Sequence, residues 1–162
     1  MSNESTPARV RRIIDACSVY DLHTHLYAPA FDAGPTPRFL LRGIDAMLTY
    51  HYLQAEFIRV RPDVVPTGFL ASPIDQQADA IWRALFVERT PLSEACRGVV
   101  TTLTRLGLDP REPSLGRYRS WFAEREASAY VDMVMEAARV EHIVMTNEVF
   151  DDAEHRIWME RP

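Results

Sequence analysis

Asp21-Leu22-His23-Thr24-His25-Leu26, DLHTHL, reads as the end of a β-strand that starts near Ser18. In a strand, alternate side chains share a face. Tyr20, Leu22, Thr24 and Leu26 then point one way, and Val19, Asp21, His23, His25 and Tyr27 the other. Two imidazoles on one face can converge on a single cation at roughly 2.0–2.1 Å each. Asp21, one step deeper on that face, is placed to orient an imidazole. Leu22 and Leu26 are expected to pack beneath helices on the outer face. The spacing is equally that of two structural histidines in a half-buried strand, and by itself does not choose. A catalytic metal site also needs a third protein ligand and an open position. Asp32, His51, Glu148 and Asp151 are candidates without a spacing argument, so the third ligand is expected beyond residue 162.

Working outward from that strand, Thr6-Pro7 predicts an N-cap and a first-turn proline for a helix to about Ala16. Ala28 to Pro37 holds three prolines and a glycine and reads as a loop. From Phe39 to about Arg59 the period becomes helical, with Ile44, Met47, Leu48, His51, Tyr52, Ala55 and Ile58 on one stripe. Arg61 to Ser72 reads as a loop. Ser72-Pro73-Ile74-Asp75 then predicts a capped helix with Ile74, Ala78, Ile81, Trp82, Leu85 and Phe86 inward. Thr90-Pro91 starts the next, carrying Leu92, Ala95, Cys96, Val99, Val100, Leu103 and Leu106 and ending at Gly107. A longer helix is predicted from Leu115 to Val140, then a strand from His142 to Phe150 and the start of a helix at Asp151. The aromatic set Trp82, Phe86, Tyr118, Trp121 and Phe122 is expected in the core.

Two strands separated by helices favour a parallel βαβ connection. The fold class expected is α/β and mainly helical: residues 1–27 a helix and first strand, 38–140 a helical insertion, 142–162 a second strand and a helix start. A parallel sheet needs more strands than two. The chain therefore reads as the opening of a (β/α)8 barrel, whose sites lie at the C-terminal strand ends, where DLHTHL falls. Open edges on a two-strand sheet invite self-association into a homo-oligomer.

Composition narrows the function classes. With 47% apolar and 25% charged residues, the 162-residue chain has the balance of a globular domain. A net charge of −5 argues against nucleic acid or an anionic membrane as partner. All 18 basic residues are arginine, so Schiff-base, carbamylated-lysine and P-loop-lysine chemistry are excluded within these residues. No apolar run is long enough for a signal peptide or a membrane span, and the cytoplasm is the expected location. Cys17 and Cys96, without a CxxC pairing, read as two buried reduced thiols.

His51 and Tyr52 fall on the apolar stripe of their helix, which predicts inward rings. A neutral histidine beside a tyrosine suits proton transfer, since histidine titrates near neutrality. The pair would equally serve as core filling. Arg38, Arg42 and Arg59 are placed to greet an anionic substrate or to sit solvated at the surface.

Taken together, DLHTHL, LTYHYLQAEF, IWRALF with TPLSEACRGVVTTLTRLGLD, and HIVMTNEVFDDAEH resemble the N-terminal part of uronate (glucuronate) isomerases, in the amidohydrolase superfamily of metal-dependent barrels. The resemblance spans about residues 18–158. It implies that His23 and His25 bind a divalent metal, usually zinc, together with an aspartate from the last barrel strand. It implies that His51 and Tyr52 face the substrate as catalytic residues. The reaction implied is isomerisation of D-glucuronate or D-galacturonate to the keto-uronate through an enediol, incomplete in this chain alone. Two rivals remain open: a metal-dependent amidohydrolase-type hydrolase, and a non-catalytic helical interaction module.

Overall fold

Ser5 Oγ accepts a hydrogen bond from the Ala8 N–H (3.4 Å) and caps helix α1 (Thr6–Ala16), with Pro7 in its first turn. Proline is tolerated there because first-turn N–H groups have no helical acceptor. The cap is one residue earlier than expected. The structure is a computed structural model and describes residues 4–24, 43–146, 151, 152, 155, 156 and 159. After α1 come β1 (Val19–Thr24), α2 (Ile44–Leu48), α3 (His51–Val60), α4 (Pro66–Leu70) and α5 (Ile74–Trp82). The chain continues through a π-helical turn (Arg83–Val87) to α6 (Glu94–Arg105), α7 (Gly116–Ala123), α8 (Ala127–Ala138) and β2 (Val140–Met145).

The expected parallel pairing is present. Val19 lies opposite Val140, Tyr20 opposite His142 and Asp21 opposite Ile143, with an irregular register before Thr24 meets Met145. The predicted strand ends at residues 25–26 and 147–150 lie outside the described residues. Past β2, the His155 N–H donates to the Asp151 carbonyl (2.9 Å), one helical turn where a helix start is predicted. Arg139 links the sheet to α1. It closes α8 in the left-handed region (φ 56°), and its guanidinium donates to the carbonyls of Ile14 (3.2 Å) and Asp15 at the end of α1.

The core lies elsewhere. Its buried apolar residues run from Ile44 to Tyr130 and include Leu48, Leu53, Phe57, Ile81, Trp82, Leu103 and Tyr118. Neither α1 nor β1 adds a fully buried side chain. Leu22, expected beneath helices, is 73% exposed. The helices from α2 to α8 satisfy their apolar faces against one another, so none among the described residues is left to cover that side of the sheet.

Within this helical body the long predicted helices are broken. The stretch from Phe39 to Arg59 is interrupted: α2 closes at Thr49, and Tyr50 turns extended (φ −62°, ψ 139°). The phase restarts there. Leu53 and Phe57 take the buried face of α3, while His51, Tyr52 and Ala55 are exposed, correcting the inward rings expected of the pair. A second break, with Glu126 extended (φ −68°, ψ 152°), separates α7 from α8. The predicted loop after Arg61 contains α4, five residues long and too short to show a period, with Pro66 at its start and Phe69 buried.

Two predicted caps are also relocated. Ser72 does not cap α5: its hydroxyl donates to the Phe69 carbonyl (2.6 Å), and Ile74 is exposed. Gln77 secures the turn instead, its amide donating to the carbonyls of Leu70 (3.3 Å) and Ser72 (2.8 Å). α6 starts at Ser93 rather than at Thr90-Pro91, which leaves Leu92 exposed. Ser93 Oγ accepts from the Cys96 N–H (3.2 Å) and donates to Glu56 Oε2 (2.6 Å), so one hydroxyl caps α6 and ties it to α3. Ser93→Ala is expected to lose about 1–2 kcal/mol in urea unfolding. A loss within experimental error would contradict the cap. Gly107 closes α6 at φ 76°, as predicted.

The expected aromatic core is present: Trp82, Tyr118 and Phe122 are buried, and Phe86 and Trp121 partly so. Trp82 Nε1 donates to the Glu112 carbonyl (3.0 Å) and Tyr118 Oη to the Asp109 carbonyl (2.6 Å), so both polar ends are satisfied. Of the two thiols only Cys96 is buried, and burial pushes its pKa up. Cys17 is exposed, because α1 packs no buried face.

Arg119 on α7 joins three helices. It donates to Asp45 on α2 (2.8 Å), and to Asp79 (3.4 Å) and the Asp75 carbonyl (3.0 Å) on α5. The Asp45 carboxylate holds the Arg119 pKa above its ordinary value. A planar fork presents its donors in a fixed spread that fits these acceptors, and the compact three-donor ammonium does not match that spread. Arg119→Lys is therefore expected to destabilise by about 1–3 kcal/mol, read as a lowered urea midpoint. An unchanged midpoint would mean the network contributes nothing.

Candidate functional site

The break at Tyr50 is what brings His51 and Tyr52 to the surface. Tyr50 is the N-cap of α3, and His51 and Tyr52 form its first turn. Had α2 run on unbroken, the pair would lie on the buried stripe. Instead the His51 ring centroid is 4.1 Å from that of Tyr52 and 4.3 Å from that of Tyr50, with the two tyrosine rings 5.6 Å apart. Tyr52 is 63% exposed, and His51 is exposed beside it. An imidazole that can give or take a proton thus stands next to a phenol that can donate one, both open to a ligand. A cavity of about 260 Å³ lies beside the pair, lined by Met47, Tyr50, Tyr52, Leu53, Val99 and Tyr130 among others. Reasoning from sequence missed Tyr50. The signal available was an aromatic residue directly before His51 in TYHY.

His23 lies on β1, a different element from the pair, and its side chain is exposed. Asp21 does not orient an imidazole among the described residues. Its Oδ1 accepts the His23 backbone N–H (3.0 Å), a local turn-like bond that competes with any role toward a ring. His25, Asp32, Arg38, Arg42 and Glu148 lie outside the described residues. Among the described residues, no three His, Cys, Asp or Glu side chains come close enough to hold a metal. The described donor set is therefore one exposed imidazole, the right chemistry for a borderline metal but not a closed site.

A larger cavity, of about 640 Å³, is lined by residues of α1, α6 and α8 and includes none of the candidates. Its Arg105 and Arg139 stand at the C-terminal ends of α6 and α8, and its Arg11 in the middle of α1. Arg105 and Arg139 offset the partial negative charge of those helix ends, a stabilising role without a ligand. Among the described residues no helix is long and apolar enough to cross a membrane.

No family model matches the chain, and a search of curated proteins also found no match. Among solved structures, the crystal structure of a uronate isomerase from Bacillus halodurans C-125 matches over 98% of this chain, at 44% identity and a TM-score of 0.86. The chain is similar, in sequence and in fold, to part of this uronate isomerase. At that identity the likeness extends to sequence as well as fold. The chain spans 37% of the length of this uronate isomerase. The mainly helical α/β architecture with a two-strand parallel sheet matches part of that uronate isomerase.

Proposed function

We propose that this chain carries the substrate-facing His51–Tyr52 pair and the first metal-binding strand of a uronate isomerase, and that a (β/α)8 barrel completes the site. The observation that carries this reading is the 44% identity to a uronate isomerase across 98% of the chain. The exposed, adjacent rings of His51 and Tyr52 support it. In the completed site the substrate is a hexuronate, D-glucuronate or D-galacturonate, and the product its keto isomer. Aldose–ketose isomerisation moves a proton between neighbouring carbons through an enediol. His51 is suited to accept and return that proton, and the Tyr52 hydroxyl to hold a substrate oxygen. His23 and His25 would hold a divalent metal such as zinc, which when bound polarises substrate oxygens.

The test is to join this chain to the remaining part of a family member and to offer D-glucuronate, a lactone and an amide. Formation of the keto-uronate is expected. Hydrolysis of the lactone or amide without isomerisation would overturn the proposal in favour of an amidohydrolase-type hydrolase. One observation favours the second rival: among the described residues the buried apolar side chains run from Ile44 to Tyr130, within the helical body. A body with its own core can persist as a non-catalytic helical module, and failure of the joined protein on all three substrates would support that.

A further inference from the structure

Tyr50 connects the buried helical body to the exposed pair. Its carbonyl accepts from the N–H groups of Leu53 (2.9 Å) and Gln54 (3.2 Å), which fixes its backbone to the first turn of α3. Its half-buried ring lines the cavity of about 260 Å³ alongside Met47, Leu53 and Val99, and Leu53 and Val99 belong to the core. The same ring stands 4.3 Å from the His51 imidazole, on which the Tyr52 ring also packs at 4.1 Å. An exposed histidine in a first helical turn ordinarily samples several rotamers. Here it has two aromatic neighbours, and one of the two is tied to the core.

We infer that Tyr50 is a positioning residue: it holds the His51 imidazole, and through it Tyr52, in one orientation toward the ligand. This rests on the proposal above that His51 and Tyr52 meet the substrate. A preset imidazole matters because misplacing a reacting group by about 1 Å can cost on the order of a hundredfold in rate. The contact is made by the ring, so the Tyr50 hydroxyl is dispensable. Tyr50→Phe preserves the function and Tyr50→Leu removes it.

The experiment is a proton–carbon correlation spectrum of the histidine-labelled chain, with the His51 signals assigned by their loss in His51→Gln. Ring protons of Tyr50 and His51 are expected to show a nuclear Overhauser effect. Tyr50→Phe should leave the His51 ring resonances in place, and Tyr50→Leu should move them toward those of free histidine while the helical circular dichroism is unchanged. No Overhauser effect in the parent, unmoved resonances in a folded Tyr50→Leu chain, or a Tyr50→Phe displacement as large as that of Tyr50→Leu would each overturn the inference. Should Tyr50→Leu unfold, the parent spectrum and Tyr50→Phe decide it. The readout is ring geometry rather than turnover, so a failed isomerase assay and a failed positioning role are separate results.

Discussion

Phe57→Ala is expected to cost about 3–5 kcal/mol of stability, the largest effect of any single change considered for this chain. Phe57 is 1% exposed, and its ring packs on Phe69 at 4.5 Å between centroids. Truncation removes an entire aromatic side chain and leaves a hole that α3 and α4 cannot close without moving. Typical domains have only about 5–15 kcal/mol in reserve, so the variant should unfold at a markedly lower urea concentration. A loss under about 1 kcal/mol would show that α3 does not dock as described, and with it would fall the placement of His51 and Tyr52.

His51→Ala is expected to do the opposite: little to stability, much to turnover. The side chain is exposed, and surface substitutions of this kind usually stay within about 0.5 kcal/mol. In the joined protein, removal of a residue acting as acid or base is expected to lower turnover by roughly 10²–10⁴-fold. The check is the rate of keto-uronate formation beside the urea midpoint of the same variant. Turnover within about twofold of the parent would remove His51 from the proton-transfer role.

Parts of this fold were legible because the signal was local. Ser5, Pro7 and Gly107 act within one turn, and the helix ends they mark came out within a residue of prediction. The parallel pairing of β1 with β2 followed from two strand-like runs separated by helices. Periodicity failed where the backbone turned extended and the phase restarted. Nothing in the apolar spacing around His51 marks the extended Tyr50 backbone between α2 and α3, yet that break decides whether the pair is buried or open. Strand alternation places Leu22 beneath helices and residue type places Cys17 inside, yet burial depends on a packing partner, and both are exposed. For the site, HxH spacing named two histidines but could not say what joins them. The described residues settle only that His23 is exposed on β1 and that His51 and Tyr52 are in contact.

The proposed site is one part of a uronate isomerase site, held by this chain and completed by a barrel. The most direct measurement is D-glucuronate turnover by this chain alone and by the same chain joined to the remaining part of a family member. No keto-uronate is expected from the isolated chain, and steady formation is expected after joining, abolished by His23→Ala. Turnover by the isolated 162 residues, or none after joining to a partner proved competent with its own N-terminal part, would contradict it.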